Sequence, residues 1–220
     1  MPKNLKGYGI TALIGGILAC FLAPLMSLGY YQSYAIPAET PPFWFASVHP
    51  VASFFFSFAD EKTAYTTYGK LFAIVYLLFL PGIFALHSLH QRAKSRLEKY
   101  GFIFLIVIIV TCFFGVSGDY WEIKQGWTLE LFGMLLLQFA GTLYGFALLR
   151  LKIVPFSSIL LLLGSIPLCV LSFMLLKQIP SAPTLPFAAA SIVIGFFILR
   201  KSATQENAKA AAFAALISKI

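Results

Sequence analysis

Charged residues are scarce in this chain, and none lies near the middle of its long apolar stretches. Only 11% of the 220 residues are charged and 60% are hydrophobic, whereas a soluble domain carries about 25% charged residues. This amount of polar surface cannot cover a water-soluble globule. The composition therefore indicates a membrane-embedded protein. The lack of ionisable side chains at membrane depth also disfavours proton pumps, ion pathways and retinal proteins.

Motifs for catalysis, metal binding and redox chemistry are missing as well. The three cysteines (Cys20, Cys112 and Cys169) lie in separate apolar stretches without a CxxC spacing, so neither a zinc knuckle nor a thioredoxin-like site is indicated. Neither HExxH nor GxSxG occurs. His87 and His90 could share a helix face, but no third ligand is evident. We therefore expect no metal and no cofactor, and a membrane enzyme is the least favoured function.

Six apolar stretches approach the length of about 20 residues that a membrane-crossing helix needs. They cover residues 7–31, 71–90, 102–116, 131–149, 154–176 and 185–199. A seventh uncharged stretch, 41–59, has Pro50 in its middle and begins with two prolines. Its Phe and Trp residues are typical of the membrane interface. We expect this stretch to be an outer element that either lies on the surface or re-enters the membrane.

Lysine and arginine are concentrated in alternate connections between these stretches. Of the sixteen, twelve fall on the side of the two termini, and the other side holds Lys62, Lys70, Lys124 and Lys177. Because positively charged loops stay in the cytoplasm, we expect a multi-pass protein of the cell membrane with both termini cytoplasmic. Residues 32–70, 118–130 and 177–184 should then face outward. This topology accounts for the net charge of +8, so no nucleic-acid partner is expected.

The chain is expected to form one all-α membrane domain followed by a helical tail. Residues 1–201 should form a bundle of six transmembrane helices with an outer loop over 32–70, and residues 202–220 a cytoplasmic C-terminal helix. Ser202 to Gln205 fit a helix capping box, and the alanine-rich tail has few helix breakers. Two arrangements remain open, since the tail can continue the sixth crossing or turn at Ser202 and lie along the membrane.

Small residues mark the helix faces on which close packing is expected. Gly16 lies on such a face of the first crossing, and Gly133, Gly141 and Gly145 form a stripe on the fourth. These faces should pack within the bundle, and the alternative is a docking face for a partner subunit. Gln138 is the one strongly polar side chain in the middle of a crossing. It should hydrogen-bond to another helix, with the candidate partners Thr11, Ser165 and Tyr76.

The connection between the third and fourth crossings combines acidic and aromatic residues, over 119–130. One interpretation is an aromatic belt with a solvated loop. The other is the rim of an outward-facing pocket, roofed by the segment 41–58, in which carboxylates orient a cationic group and indole rings stack on its apolar part. On this second interpretation, the predicted ligand-binding residues are Asp119, Trp121, Glu122, Trp127 and His49.

Two classes of function fit these features. The first is a non-catalytic accessory or scaffold subunit that packs against partner membrane chains or lipids. The second is a solute- or lipid-binding component of a membrane transport system with an outward-facing site. This layout resembles the substrate-binding subunits of energy-coupling-factor vitamin transporters, which also have six helices and a long outer loop that closes the site. The resemblance is one of architecture, with no shared motif.

Overall fold

The computed structural model describes residues 4–35, 39–89, 95–152 and 154–217. Within these ranges every regular element is an α-helix, which confirms the predicted all-α class. The helices, in chain order, are α1 (Leu5–Ser33), α2 (Phe45–Phe56), α3 (Glu61–Leu89), α4 (Arg96–Tyr120), α5 (Gly126–Leu151), α6 (Phe156–Leu163), α7 (Ser165–Leu176) and α8 (Ser181–Ile217).

Five of the described helices are long and apolar enough to cross a membrane. These are α1, α3, α4, α5 and the part of α8 over 181–208. The predicted fifth crossing is instead divided into α6 and α7, which are bent by 71° at their junction. The bundle therefore has five membrane-length helices, or six spans if the bent pair counts as one.

The bend between α6 and α7 lies where glycine and proline interrupt the apolar stretch. Gly164 separates the two helices, and Pro167 lies in the first turn of α7. Proline has no N–H, so Pro167 cannot donate to the carbonyl of Leu163, and its ring crowds that carbonyl. By contrast, Pro24 and Pro81 lie inside the continuous helices α1 and α3.

The last helix continues without a break beyond the apolar stretch. Ser202 does not begin a new helix, because α8 runs from Ser181 to Ile217 as one element. The Thr204 hydroxyl donates to the carbonyl of Arg200, one turn back in the same helix. The choice left open by the sequence is thus settled: the tail extends the last long helix, as expected of an alanine-rich segment without glycine or proline.

The segment predicted to lie at the membrane surface forms the short helix α2. Its twelve residues span about 18 Å, too little to cross a bilayer core. Phe56 is buried against Gly29 of α1, and the Tyr68 hydroxyl of α3 donates to the Phe55 carbonyl at 2.6 Å. At the other end of α2, the Trp44 indole donates to the Leu175 carbonyl of α7 at 2.6 Å. The helix therefore lies against three other helices, α1, α3 and α7.

The four glycines predicted to mediate packing all face other helices of the bundle. A Cβ on Gly16 would lie 2.7 Å from the Ala188 carbonyl oxygen of α8, and one on Gly133 would lie 3.1 Å from Cys112 Sγ of α4. On α5, Gly145 faces α6, and a Cβ on Gly141 would lie 3.4 Å from Ser165 Oγ of α7. These small residues let the helix backbones approach closely.

Gln138 connects three helices, as its position in the sequence predicts. Ser165 at the start of α7 donates to Gln138 Oε1 at 2.6 Å. The Gln138 amide nitrogen donates to the Pro183 carbonyl of α8 at 2.9 Å and to the Met134 carbonyl of its own helix at 3.2 Å. Of the three candidate partners, Ser165 is the one observed. The hydrogen bonds hold the bend between α6 and α7 against α5 and α8.

The glycine contacts predict a difference between two matched substitutions. Gly16→Ala should destabilise the protein by about 1–3 kcal/mol, because the new methyl group would push against the Ala188 carbonyl, which cannot rotate away. Gly141→Ala should be neutral or slightly stabilising, since its Cβ would make an ordinary contact and alanine favours the helix. Thermal unfolding in detergent measures both, and equal effects would contradict the close contact between α1 and α8.

Candidate ligand-binding pocket

A cavity of about 920 Å³ lies at the end of the bundle where α1, α4 and α7 end and α3 and α5 begin. We call this the loop end. The volume is in the range of small-molecule sites, about 300–1,000 Å³. The described walls come from α1, α3, α4, α5, α7 and the connections between them. Aromatic side chains dominate, and five of them are tyrosines, namely Tyr30, Tyr31, Tyr34, Tyr65 and Tyr120.

The floor of the pocket is a buried hydrogen-bonded cluster. The hydroxyls of Tyr65 on α3 and Tyr120 on α4 are 2.9 Å apart. The Gln178 side-chain amide, after α7, donates to both, at 3.1 Å and 3.4 Å. All three side chains are less than a tenth exposed. Buried polar groups joined in this way hold one arrangement, so the floor is rigid and joins three segments distant in sequence.

Two glycines make room for the tyrosine rings of this floor. A Cβ on Gly69 of α3 would overlap the ring of Tyr120. One on Gly29 of α1 would lie 2.9 Å from the ring of Tyr65. At these two positions glycine thus accommodates an aromatic ring from a neighbouring helix.

The wall formed by the end of α7 is held by hydrogen bonds to its last carbonyl groups. Helix ends leave such carbonyls without partners in the helix. Here they accept hydrogen bonds from Trp44, Ser27 and Tyr31. In return, Lys177 Nζ donates to the carbonyls of Thr40 and Pro41, at 3.1 Å and 3.5 Å. The chain before α2 is thereby attached to α7 and borders the pocket.

Three of the five charged side chains that line the described part of the pocket have partners. Glu39 accepts from the Tyr30 hydroxyl at 2.8 Å, Lys62 lies over the ring of Tyr34, and Lys177 is bonded to carbonyls. Asp119 and Glu122 also line the pocket. Among the described residues, neither of these two carboxylates has a side-chain hydrogen bond or an ion pair. The pocket thus offers two free negative charges.

Glu122 has a backbone conformation that side chains rarely adopt. Its φ is 59°, in the left-handed region that glycine favours at the end of a helix. The turn is closed by the Ile123 N–H, which donates to the Gly118 carbonyl at 2.8 Å. A residue other than glycine costs about 1–2 kcal/mol in this conformation. In this conformation Glu122 places a carboxylate at the pocket rim, where a glycine would place only a hydrogen atom.

The structure brings together three of the five residues predicted to bind a ligand. Asp119, Glu122 and Trp127 line the pocket. Trp121 does not line it; its side chain is 53% exposed, and Lys70 Nζ lies over its ring, 5.4 Å from the centroid. His49 packs against Phe45 of α2 instead. The roof also differs from the one expected, since the described lining residues between α1 and α3 are Tyr34, Glu39 and Thr40 rather than residues of 41–58.

The tyrosines are the main feature that sequence reasoning missed. Tyr30 and Tyr31 end the first apolar stretch and Tyr34 follows it, so this group of tyrosines is the sequence feature that indicates the pocket wall. Glu130 was placed in an outer loop, but it lies inside α5 and is fully buried. Neither of its carboxylate oxygens has a hydrogen-bond partner in the described part of the chain. A buried acid therefore lies close to the pocket, beside Gly115 of α4.

At the opposite end of the bundle, His87 contacts a buried acid rather than a metal-ligand set. His87 Nδ1 and Glu98 Oε1 are 2.7 Å apart, and Glu98 is fully buried. The imidazole stacks on Phe102 with a centroid distance of 3.8 Å. His90, the other residue of the predicted pair, lies outside the described residues. Within the described ranges, no group of three His, Cys, Asp or Glu residues could hold a metal ion.

No protein-family model, curated protein sequence or solved structure matches this chain. The pocket must therefore be interpreted from the chemistry of its own residues.

The backbone of the rim gives a prediction about stability. Glu122→Gly should stabilise the protein by about 1 kcal/mol, because glycine relieves the left-handed strain. Lys152 also has a positive φ and lies away from the pocket, so Lys152→Gly should stabilise the protein similarly. Lys177→Gly should not, since it also removes the hydrogen bonds to Thr40 and Pro41. Thermal unfolding of the three variants tests this, and a loss of stability in Glu122→Gly would reveal a stabilising contact of its carboxylate.

Proposed function

We propose that this protein is a membrane protein of six crossings that binds a cationic or amphipathic organic molecule at its outer side, as the solute- or lipid-binding component of a transport system. The observation that carries the proposal is the pair of free carboxylates, Asp119 and Glu122, in a pocket walled by tyrosines. Carboxylates attract a cation, and aromatic faces bind organic cations such as quaternary ammonium groups.

The same lining disfavours other ligands. An anion would meet three carboxylates, while both lysines of the described wall already have partners. A hard metal ion such as calcium prefers six to eight oxygen ligands, and only Asp119 and Glu122 are free carboxylates here. Tyrosine rings and Trp127 instead offer apolar contact and π faces, which suit a bulky organic cation.

The accessory-subunit hypothesis receives less support from the packing. One argument for it is a small-residue face free to dock a partner, but Gly16, Gly133, Gly141 and Gly145 all face helices of this chain. The large side chains that remain exposed along the long helices, such as Phe132 and Phe139 of α5, suit contact with lipid tails. Membrane lipids are therefore proposed as the surroundings of the bundle.

Removing the two free charges should weaken binding of a simple probe, tetramethylammonium. Asp119→Asn should raise its Kd roughly tenfold, equivalent to about 1.4 kcal/mol, because Asp119 is half-buried. Glu122→Gln should have a smaller effect, since Glu122 is exposed and water screens its charge. Calorimetric titration of the detergent-solubilised protein measures both values.

Asp60→Asn is the matched control. Asp60 lies at the same end of the bundle but does not line the pocket, and it accepts from the Thr63 N–H at the start of α3. Hydrogen bonds from Thr63, first from its side chain and then from its N–H, keep the pKa of Asp60 below its usual value. The side chain is therefore charged at neutral pH, and asparagine preserves the cap. If all three variants bind like the parent protein, or if the parent does not bind the probe, the proposed function is wrong.

We also propose that the loop end faces outward, because twelve of the sixteen Lys and Arg residues fall on the other side. Lys99→Cys and Thr128→Cys, introduced singly into a variant without the three native cysteines, place exposed thiols near opposite ends of the bundle. An impermeant maleimide applied to intact cells should label the cysteine at 128 and not that at 99. Labelling of both from outside would overturn the six-crossing topology.

A further inference from the structure

A second cavity of about 390 Å³ lies between α5 and α7. It shares three lining residues with the pocket at the loop end, namely Phe173, Met174 and Ile179. The two spaces are therefore neighbours separated by no more than these side chains, of which Phe173 and Met174 are exposed. We call the second cavity the α5–α7 groove.

The α5–α7 groove has no free hydrogen-bonding side chain in its described lining. All but one of its lining residues are apolar or sulfur-containing. The exception is Gln138, whose amide oxygen accepts from Ser165 and whose amide nitrogen donates to the carbonyl of Pro183. A polar ligand in the groove would lose its hydrogen bonds to water without replacement. The groove therefore suits a hydrocarbon.

The groove is elongated along the helices and open at its side. On α5 it extends from Leu131 to Gln138, seven residues or about 10 Å along the helix axis. Leu135 on one flank is 64% exposed, and Val170 on the other is 59% exposed. In the proposed six-crossing arrangement this side faces the lipid tails, so a hydrocarbon chain can enter it laterally.

We infer that the ligand is a single-chain amphiphile whose cationic headgroup occupies the pocket and whose hydrocarbon chain lies in the α5–α7 groove. The inference rests on the proposed function and specifies its ligand. Phe173, Met174 and Ile179 line both spaces, which places the chain next to the headgroup. Lipid tails are as apolar as the groove, so burial alone gives a chain little preference for it. The headgroup, held by Asp119 and Glu122, supplies the preference.

A photoreactive ligand tests where the chain lies. The probe is dodecyltrimethylammonium with a diazirine in its chain, added to the full-length protein in nanodiscs whose lipids lack quaternary ammonium groups. After irradiation, peptide mass spectrometry locates the cross-links. We expect them to concentrate on the groove residues of α5 and α7, and excess tetramethylammonium should reduce them several-fold, because it occupies only the pocket.

Two matched valine substitutions test the groove itself. Val170→Trp should reduce the cross-links to α5 several-fold, because the indole would fill the space between the two helices. Val107→Trp places the same side chain at a position of α4 that is 54% exposed and does not line the groove, and it should leave the cross-links unchanged. Both sites are exposed, so both variants are expected to fold. Binding of tetramethylammonium should be the same in both.

The outcomes separate this inference from the proposed function. The cross-links could instead be spread over the exposed faces of all helices, or be insensitive to tetramethylammonium. Either result would show that the ligand's hydrocarbon tail meets the protein only from the bulk lipid, and would overturn the inference. If tetramethylammonium still binds with its expected dependence on Asp119, the pocket remains a cation site without an adjoining chain site. If tetramethylammonium does not bind at all, the proposed function fails first, and the inference with it.

Discussion

Close contact between helix backbones at small residues is the constraint on which the bundle depends. Between helices surrounded by hydrocarbon, burial of apolar surface supplies little attraction, so close packing must hold them together. Gly16 brings α1 against the Ala188 carbonyl, and Gly145 brings α5 against α6. At the loop end, Gly118 and Gly126 also bring backbones together, whereas Gly29 and Gly69 face tyrosine rings. Those rings belong to Tyr65 and Tyr120, which line the pocket.

The long helices could be predicted because their stretches are apolar over enough residues, and a charge or a turn bounds each one. The division of the predicted fifth crossing could not. Pro81 and Gly82 are neighbours inside the continuous helix α3, whereas Gly164 and Pro167 accompany a 71° bend. Both segments combine a glycine with a proline, and at the bend a partner from another helix adds to their effect. Gln138 binds Ser165 at the bend, an interaction that requires the folded arrangement of α5 and α7.

Only the part of the pocket whose residues lie close together in the sequence could be predicted. Asp119, Glu122 and Trp127 lie in one short connection, so their composition alone indicated a site. Trp121 shares that connection but does not line the pocket, since neighbouring residues of a tight turn point in different directions. The tyrosine floor joins α3, α4 and the chain after α7 through Gln178. No local pattern relates segments that are 55 to 113 residues apart.

The rim of the pocket holds several features that packing for stability alone would avoid. Glu122 occupies a left-handed position, and a strained backbone by itself does not mark a site, because Lys152 has the same conformation away from the pocket. Glu122 differs from Lys152 in its surroundings. Beside Glu122, Asp119 lines the same pocket and has no partner among the described residues. Glu130 is buried in α5 outside the lining, and its carboxylate oxygens have no partner among the described residues. A free carboxylate and local strain that coincide at one cavity support the proposed ligand site.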